Sequence, residues 1–224
     1  MKYPPIFITA TNTDVGKTYT TLKLLEALSA KGLKVGVMKP IETGVVTHPV
    51  DATLLFETAK RYHPALEALK LRDIVPYQFE LPAAPFVAKG RKKVSLELLE
   101  SAYAKIEALC DIVLIEGAGG LLVPIEEDLY MYDFIRLFNA KTLLVGHDQL
   151  GCINDILLNL HLLDGLGVDD YEWCVNFKGD RASFDETTLP FFKKVFGRVL
   201  SVQDDMDEIL KSLVRYHNVQ ADKL

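Results

Sequence analysis

The sequence is poor in the residues that build cross-links. It has three cysteines (Cys110, Cys152, Cys174) at no paired spacing, and five scattered histidines with no His-x3-His pair. Neither a disulfide framework nor a zinc site is expected, and a reducing cytoplasm suits such a chain. Positive charge is also short: 25 Lys and Arg stand against 31 Asp and Glu, a net charge of -6, which argues against a nucleic-acid surface. No apolar run reaches the roughly 18 residues that span a bilayer, so no membrane segment is expected. The opening MKYPPIFITA runs at once into a strand pattern, and no signal peptide is expected there. The last absence is local. The stretch TATNTDVGKTYT at 9–20 ends like a phosphate-binding loop, but Thr11 stands where the usual pattern has its first glycine.

What is present reads as an alternation. The 224 residues are 49% hydrophobic and 25% charged, typical of a globular protein. Short β-branched runs end in polar or glycine-rich turns and are followed by helical spacings: strands at PPIFIT, 33–39, 111–120, 141–148 and 171–179, and helices beginning near Lys17, Asp51, Ser95, Tyr130, Cys152 and Leu189. A short strand is expected at 198–202 and a last helix at 204–217, whereas 64–91, with Pro76, Pro82 and Pro85, reads as loop with short pieces. Buried strands alternating with helices predict one α/β domain over 1–224, a mostly parallel sheet with helices on both faces. No linker and no internal repeat interrupts it.

In such sheets ligands bind beyond the carboxyl ends of the strands, and the informative motifs fall there. Gly16, Lys17 and Thr18 lie between a strand and a helix, where free backbone N–H groups suit a phosphate. Lys17 adds a compact charge and the Thr18 hydroxyl a ligand for Mg2+. Glu116 ends the run DIVLIE, as a magnesium partner beside a phosphate loop does. Gly117, Gly119 and Gly120 then permit close approach of backbone to a ligand. Asp51 reads equally as a helix cap or a metal ligand. Lys39, at the next strand end, is either a solvated lysine or a second ammonium facing the same cavity, where two such groups suit a doubly anionic intermediate. Glu42 reads as a solvated neighbour. Leu150–Asn154 opens a helix whose free N–H groups suit a carboxylate, with Cys152 as a small apolar filler. The adjacent His147 and Asp148 are not expected to form a catalytic pair, because neighbours at a strand end point apart.

With these residues placed, the sequence resembles the dethiobiotin synthetase family. Its loop reads Gly-Thr-Asp-Thr-Glu-Val-Gly-Lys-Thr, one residue longer than the common pattern, so Ala10 and not Thr11 holds the glycine position. The likeness continues through Lys39-Pro40-Ile41-Glu42-Thr43-Gly44, Asp51-Ala52, Glu116-Gly117-Ala118-Gly119-Gly120, Leu150–Asn154 and Asn176. The resemblance implies a P-loop NTPase-like fold and ATP-dependent ring closure of 7,8-diaminononanoate with CO2, using Mg2+. Lys39 and Lys17 would be catalytic, and Thr18, Asp51 and Glu116 would hold the metal. The nucleotide would lie along Thr13, Asp14, Val15, Gly16, Lys17, Thr18 and Tyr19, with Asp51, Glu116, Gly117, Ala118 and Gly119, and Asn176 would read the base. The diamine would meet Thr13, Lys39 and Thr43, and its carboxylate Gly151, Cys152, Ile153 and Asn154 of the neighbouring subunit, which implies a homodimer. The chain departs from the family at Asp14, usually Glu; at Leu121, often Trp; and at Asp180, where a proline often follows the Asn176 position. The alternatives are a partitioning or switch ATPase of the same fold, although Asn12 stands in the neighbourhood where such proteins carry a second lysine early in the loop; an ATP-dependent amide ligase of cobalamin type, which needs an additional glutaminase domain; and a nucleotide sensor without turnover.

Overall fold

The computed structural model describes residues 2–179 and 181–214. In chain order the elements are β1 (Ile6–Ala10), α1 (Lys17–Ala30), β2 (Val35–Met38), β3 (Ile41–Thr43), α2 (Val50–Tyr62), α3 (Leu71–Ile74), β4 (Tyr77–Phe79) and α4 (Pro85–Ala88). Then follow α5 (Leu96–Glu107), β5 (Ile112–Glu116), β6 (Pro124–Glu126), β7 (Leu129–Tyr130), α6 (Asp133–Leu137), β8 (Lys141–His147) and α7 (Cys152–Gly165). The described part closes with β9 (Tyr171–Asn176), α8 (Arg181–Thr187), α9 (Leu189–Phe196) and α10 (Met206–Leu213).

Five strands form one sheet in the order β2-β5-β1-β8-β9, every neighbouring pair parallel. Ile6, Phe7 and Ile8 of β1 are all fully buried. Because successive side chains point to opposite faces, both faces of the sheet are covered, as a parallel sheet requires. α1 packs on β1, β2 and β5, α5 on β2 and β5, and α7 on β8. The α5 contact explains one glycine: a Cβ on Gly36 would lie 2.6 Å from Ile106 and 2.7 Å from Cys110. The fold is the mostly parallel α/β architecture that the alternation predicts, of the P-loop NTPase-like kind that the resemblance implies.

The small elements differ from expectation. The helix expected over 130–139 is helical only at Asp133–Leu137, and Leu129–Tyr130 pairs antiparallel with Pro124–Glu126 as a hairpin. The expected strand at 198–202 is reduced to a parallel bridge between Ser201 and Val175. Of the helix expected at 204–217, Met206–Leu213 is helical, and residues 215–217 lie outside the described residues.

Candidate active site

The carboxyl ends of β1, β2 and β5 meet over one cavity of about 390 Å3. Thr13, Asp14, Gly16, Lys17, Thr18 and Tyr19 line it from the phosphate loop, Lys39, Glu42, Thr43 and Asp51 from beyond β2, and Glu116, Ala118 and Gly119 from beyond β5. Ala10 closes β1 and is fully buried, and it keeps the negative φ that any L-residue adopts, since Asp14 and Asn139 are the non-glycine residues with positive φ among those described. The first glycine of the motif is therefore dispensable here. Gly16 is not. It takes φ 115° at the N-terminus of α1, and a Cβ there would fall 2.1 Å from the Asn176 side-chain nitrogen.

Lys39 from the end of β2, Glu116 from the end of β5 and Asp51 from the first turn of α2 converge at the floor. Lys39 Nζ lies 2.6 Å from Glu116 Oε1 and 3.2 Å from Asp51 Oδ2. The hydroxyls of Thr18 and Thr21 each donate to Glu116, both at 2.9 Å. Glu116 is completely buried, so its carboxylate depends on these donors. Burial alone would lower the Lys39 pKa, but Glu116 and Asp51 outweigh it and the net shift is upward, so this ammonium keeps its charge. Lys17 behaves in the opposite way. Burial, then the nearby Lys39 charge, bring it down to about 8. The charged form, the one that would hold phosphates, is thus populated in the free protein below about pH 8 and lost above it. Nucleotide affinity is expected to fall as pH rises through about 8, measured with a fluorescent ATP analogue on both sides of that pH; Lys17→Arg should flatten the profile.

Thr18, Asp51 and Glu116 bring a hydroxyl and two carboxylates to one point now bridged by an ammonium. An all-oxygen set of this kind fits Mg2+, which keeps several waters and takes further ligands from a substrate's phosphates. Among the described residues no group of three or more His, Cys, Asp and Glu side chains could hold a metal.

Two sequence-based roles change. Asp51 lies in the first turn of α2 and makes no capping bond. That role belongs to Glu42, which is buried rather than solvated and accepts from the backbone N–H of Asp51 at 3.1 Å and of Ala52 at 2.9 Å. Its burial pushes the carboxyl pKa up. Asp51→Asn is therefore expected to weaken Mg2+ dependence more than it weakens stability. A fallen thermal midpoint with an unchanged magnesium titration would reverse the assignment.

Asn176 sits beneath the loop, buried. Its amide donates to Val15 O at 2.7 Å, and its oxygen accepts from Gln203 Nε2 at 2.8 Å. Val15 is itself buried under the loop, and Gly117 donates its backbone N–H to Ile8 O at 2.9 Å. The sequence reading missed Lys178, which reaches Asp14 O at 2.6 Å and lines the cavity. It also missed the segment Pro82–Pro85, which with Thr13, Thr43, Ala118, Gly119 and Val123 lines an adjoining cavity of about 360 Å3; the prolines marked a loop but carried no chemical signal.

Gly151, Cys152, Ile153 and Asn154 do not line either cavity. Gly151 precedes α7 with φ 100°. Cys152 is buried, and that burial raises its thiol pKa. All three cysteines are free and buried, and among the described residues no helix is long and apolar enough to cross a membrane.

Comparison with known proteins fits this geometry. A family model described as an AAA domain matches residues 5–169. An ATP-dependent dethiobiotin synthetase of Sulfurovum sp. (strain NBC37-1) is 47% identical over 93% of this chain and 99% of its own. One from Wolinella succinogenes is 35% identical over 94% of this chain and 98% of its own. Among solved structures, a plasmid partition protein from Borrelia burgdorferi matches with a TM-score of 0.55 over 95% of this chain and 97% of that one, at 14% identity. That likeness is one of fold alone; the sequence relationship is the specific one, and by it this chain belongs to the ATP-dependent dethiobiotin synthetase family.

Proposed function

We propose that this chain, as a single domain in the cytoplasm, closes 7,8-diaminononanoate and CO2 into the cyclic urea dethiobiotin at the expense of ATP. The observation that carries the reading is Lys17 and Lys39 facing one cavity with the oxygen set of Thr18, Asp51 and Glu116. One amine of the diamine adds to CO2 and loses a proton, giving a carbamate. A carbamate oxygen attacks the γ-phosphorus and ADP leaves. The second amine then attacks the carbamoyl carbon, the C–O bond to phosphate breaks, and inorganic phosphate departs with a proton released from nitrogen.

In this reading the backbone from Thr13 to Tyr19 wraps the phosphates at the α1 N-terminus, and Lys17 and Lys39 stabilise charge on the transferring phosphoryl group. Thr18, Asp51 and Glu116 would hold Mg2+, which when bound would offset phosphate charge. Thr43 and Thr13 border both cavities, so the diamine's reacting end reaches Lys39 while its alkyl chain lies along Pro82–Pro85, and preorganisation of the two amines supplies proximity.

The α7 N-terminus, outside both cavities, is proposed to take the substrate carboxylate of a partner subunit in a homodimer. Leu122 and Leu158 are each 60% exposed and border an open depression beside α7, and Leu150 is 99% exposed. An apolar face of this kind suits a second copy.

The test follows oxygen. With 18O-labelled CO2 supplied briefly, one labelled oxygen is expected in inorganic phosphate per ring closed. A switch ATPase or sensor puts a water oxygen there and leaves the diamine untouched. Unlabelled phosphate from a reaction that still forms the cyclic urea, with CO2–water exchange controlled, would refute the carbamate route.

A further inference from the structure

His147 and Asp148 are neighbours in sequence that the fold sends to different tasks. Asp148 turns toward the β9 end, where its Oδ2 accepts the backbone N–H of Lys178 at 2.9 Å and of Gly179 at 2.6 Å. His147, the last residue of β8, turns to α7. Its Nε2 lies 2.9 Å from Asp155 Oδ2, and its Nδ1 accepts the Gln149 N–H at 3.2 Å. An Nδ1 that accepts leaves the ring proton on Nε2, which donates to the carboxylate. The same imidazole is thus bonded on both sides of the turn that carries Leu150 and Gly151.

The bonds continue into the loop. Gln149 O accepts the Cys152 N–H at 3.0 Å, and Gly151 O accepts the Asp155 N–H at 3.1 Å. The other oxygen of Asp155 accepts from Asn154 Nδ2 at 3.1 Å. Asp155 stands in the first turn of α7, where the helix dipole favours a carboxylate but where a loose one would compete with any ligand carboxylate for the free N–H groups. Both its oxygens are engaged, and the N–H from His147 is the main cause that holds its carboxyl below the ordinary aspartate range.

We propose that His147 is a positioning residue for the Gly151–Asn154 loop, acting through Asp155 and Gln149 to fix the backbone and the Asn154 amide that take the diamine's carboxylate. This rests on the ring-closure reading above. It assigns specificity for the carboxylate end of the substrate to a strand-end histidine that touches neither nucleotide nor reacting atoms.

The experiment compares wild type, His147→Ala and His147→Gln, the last of which keeps an N–H donor toward Asp155. In His147→Ala, amide hydrogen exchange at Cys152 and Asp155 is expected to speed up without ligand. The KM for the diamine is expected to rise about tenfold, the equivalent of one hydrogen bond to a charged group, with kcat and the KM for ATP nearly unchanged. His147→Gln should recover most of both effects. Unchanged exchange in His147→Ala overturns the positioning role. Faster exchange with an unchanged diamine KM overturns its link to the substrate, and parallel losses in both KM values reduce His147 to general stability. If wild type closes no ring, the ring-closure reading falls, and the proposal's substrate half falls with it; exchange, which uses no substrate, still judges the positioning half.

Discussion

Lys39→Ala is expected to lower ring closure by a factor on the order of 10^2 to 10^3, as removal of one preorganised donor to developing charge does elsewhere. Lys39 is 3% exposed and bonded to both acids of the site. Its loss leaves a fully buried Glu116 with only the hydroxyls of Thr18 and Thr21, so a lower thermal midpoint is also expected, because a buried carboxylate without its cation is costly. Added Mg2+ with a nonhydrolysable ATP analogue should restore part of that midpoint, since a bound cation replaces the missing ammonium. Lys39→Arg is not expected to rescue turnover, because a planar fork does not fit where a compact ammonium bridges two acids. Turnover of Lys39→Ala within about threefold of wild type, less than 1 kcal/mol of barrier, would remove Lys39 from the chemistry.

Gly16→Ala should abolish measurable nucleotide binding. A side chain at φ 115° carries a strain of about 1–3 kcal/mol, and its Cβ, 2.1 Å from Asn176 Nδ2, must also displace that amide. Displacement breaks the bond from Asn176 to Val15 O and disturbs the one from Gln203. The loop is then loosened at the N–H groups that would hold phosphate. Pairing the change with Asn176→Gly removes the clash but not the strain, so the double variant should recover part of the binding. Wild-type affinity in Gly16→Ala, by calorimetry on protein with native circular dichroism, would show that the loop does not hold the phosphates. Asn176→Ala alone separates two roles for that residue: equal weakening of ATP and GTP marks a brace under the loop, and a changed ratio marks a base contact.

Architecture and family were legible in the residues themselves. β-branched runs buried on both faces have one economical solution, a parallel sheet with helical crossovers, and that sheet gathers strand ends on one edge. A strand, Gly16-Lys17-Thr18 and a helix then state the phosphate chemistry locally, since backbone N–H groups at a helix start need no distant partner. The short elements resisted such reading. Leu129–Tyr130 and Ser201 pair with segments whose approach is set by the packed chain, and no periodicity over so few residues distinguishes them from loop or helix. Tertiary structure alone decided which polar side chain meets which. Lys39 and Glu116 stand 77 residues apart and become neighbours only because β2 and β5 pair in register, Met38 opposite Ile115. Likewise the capping of α2 passed to Glu42 and the partner of His147 became Asp155, because a side chain's direction at a strand end depends on the pleat and on the helix packed beside it. Sequence spacing records neither.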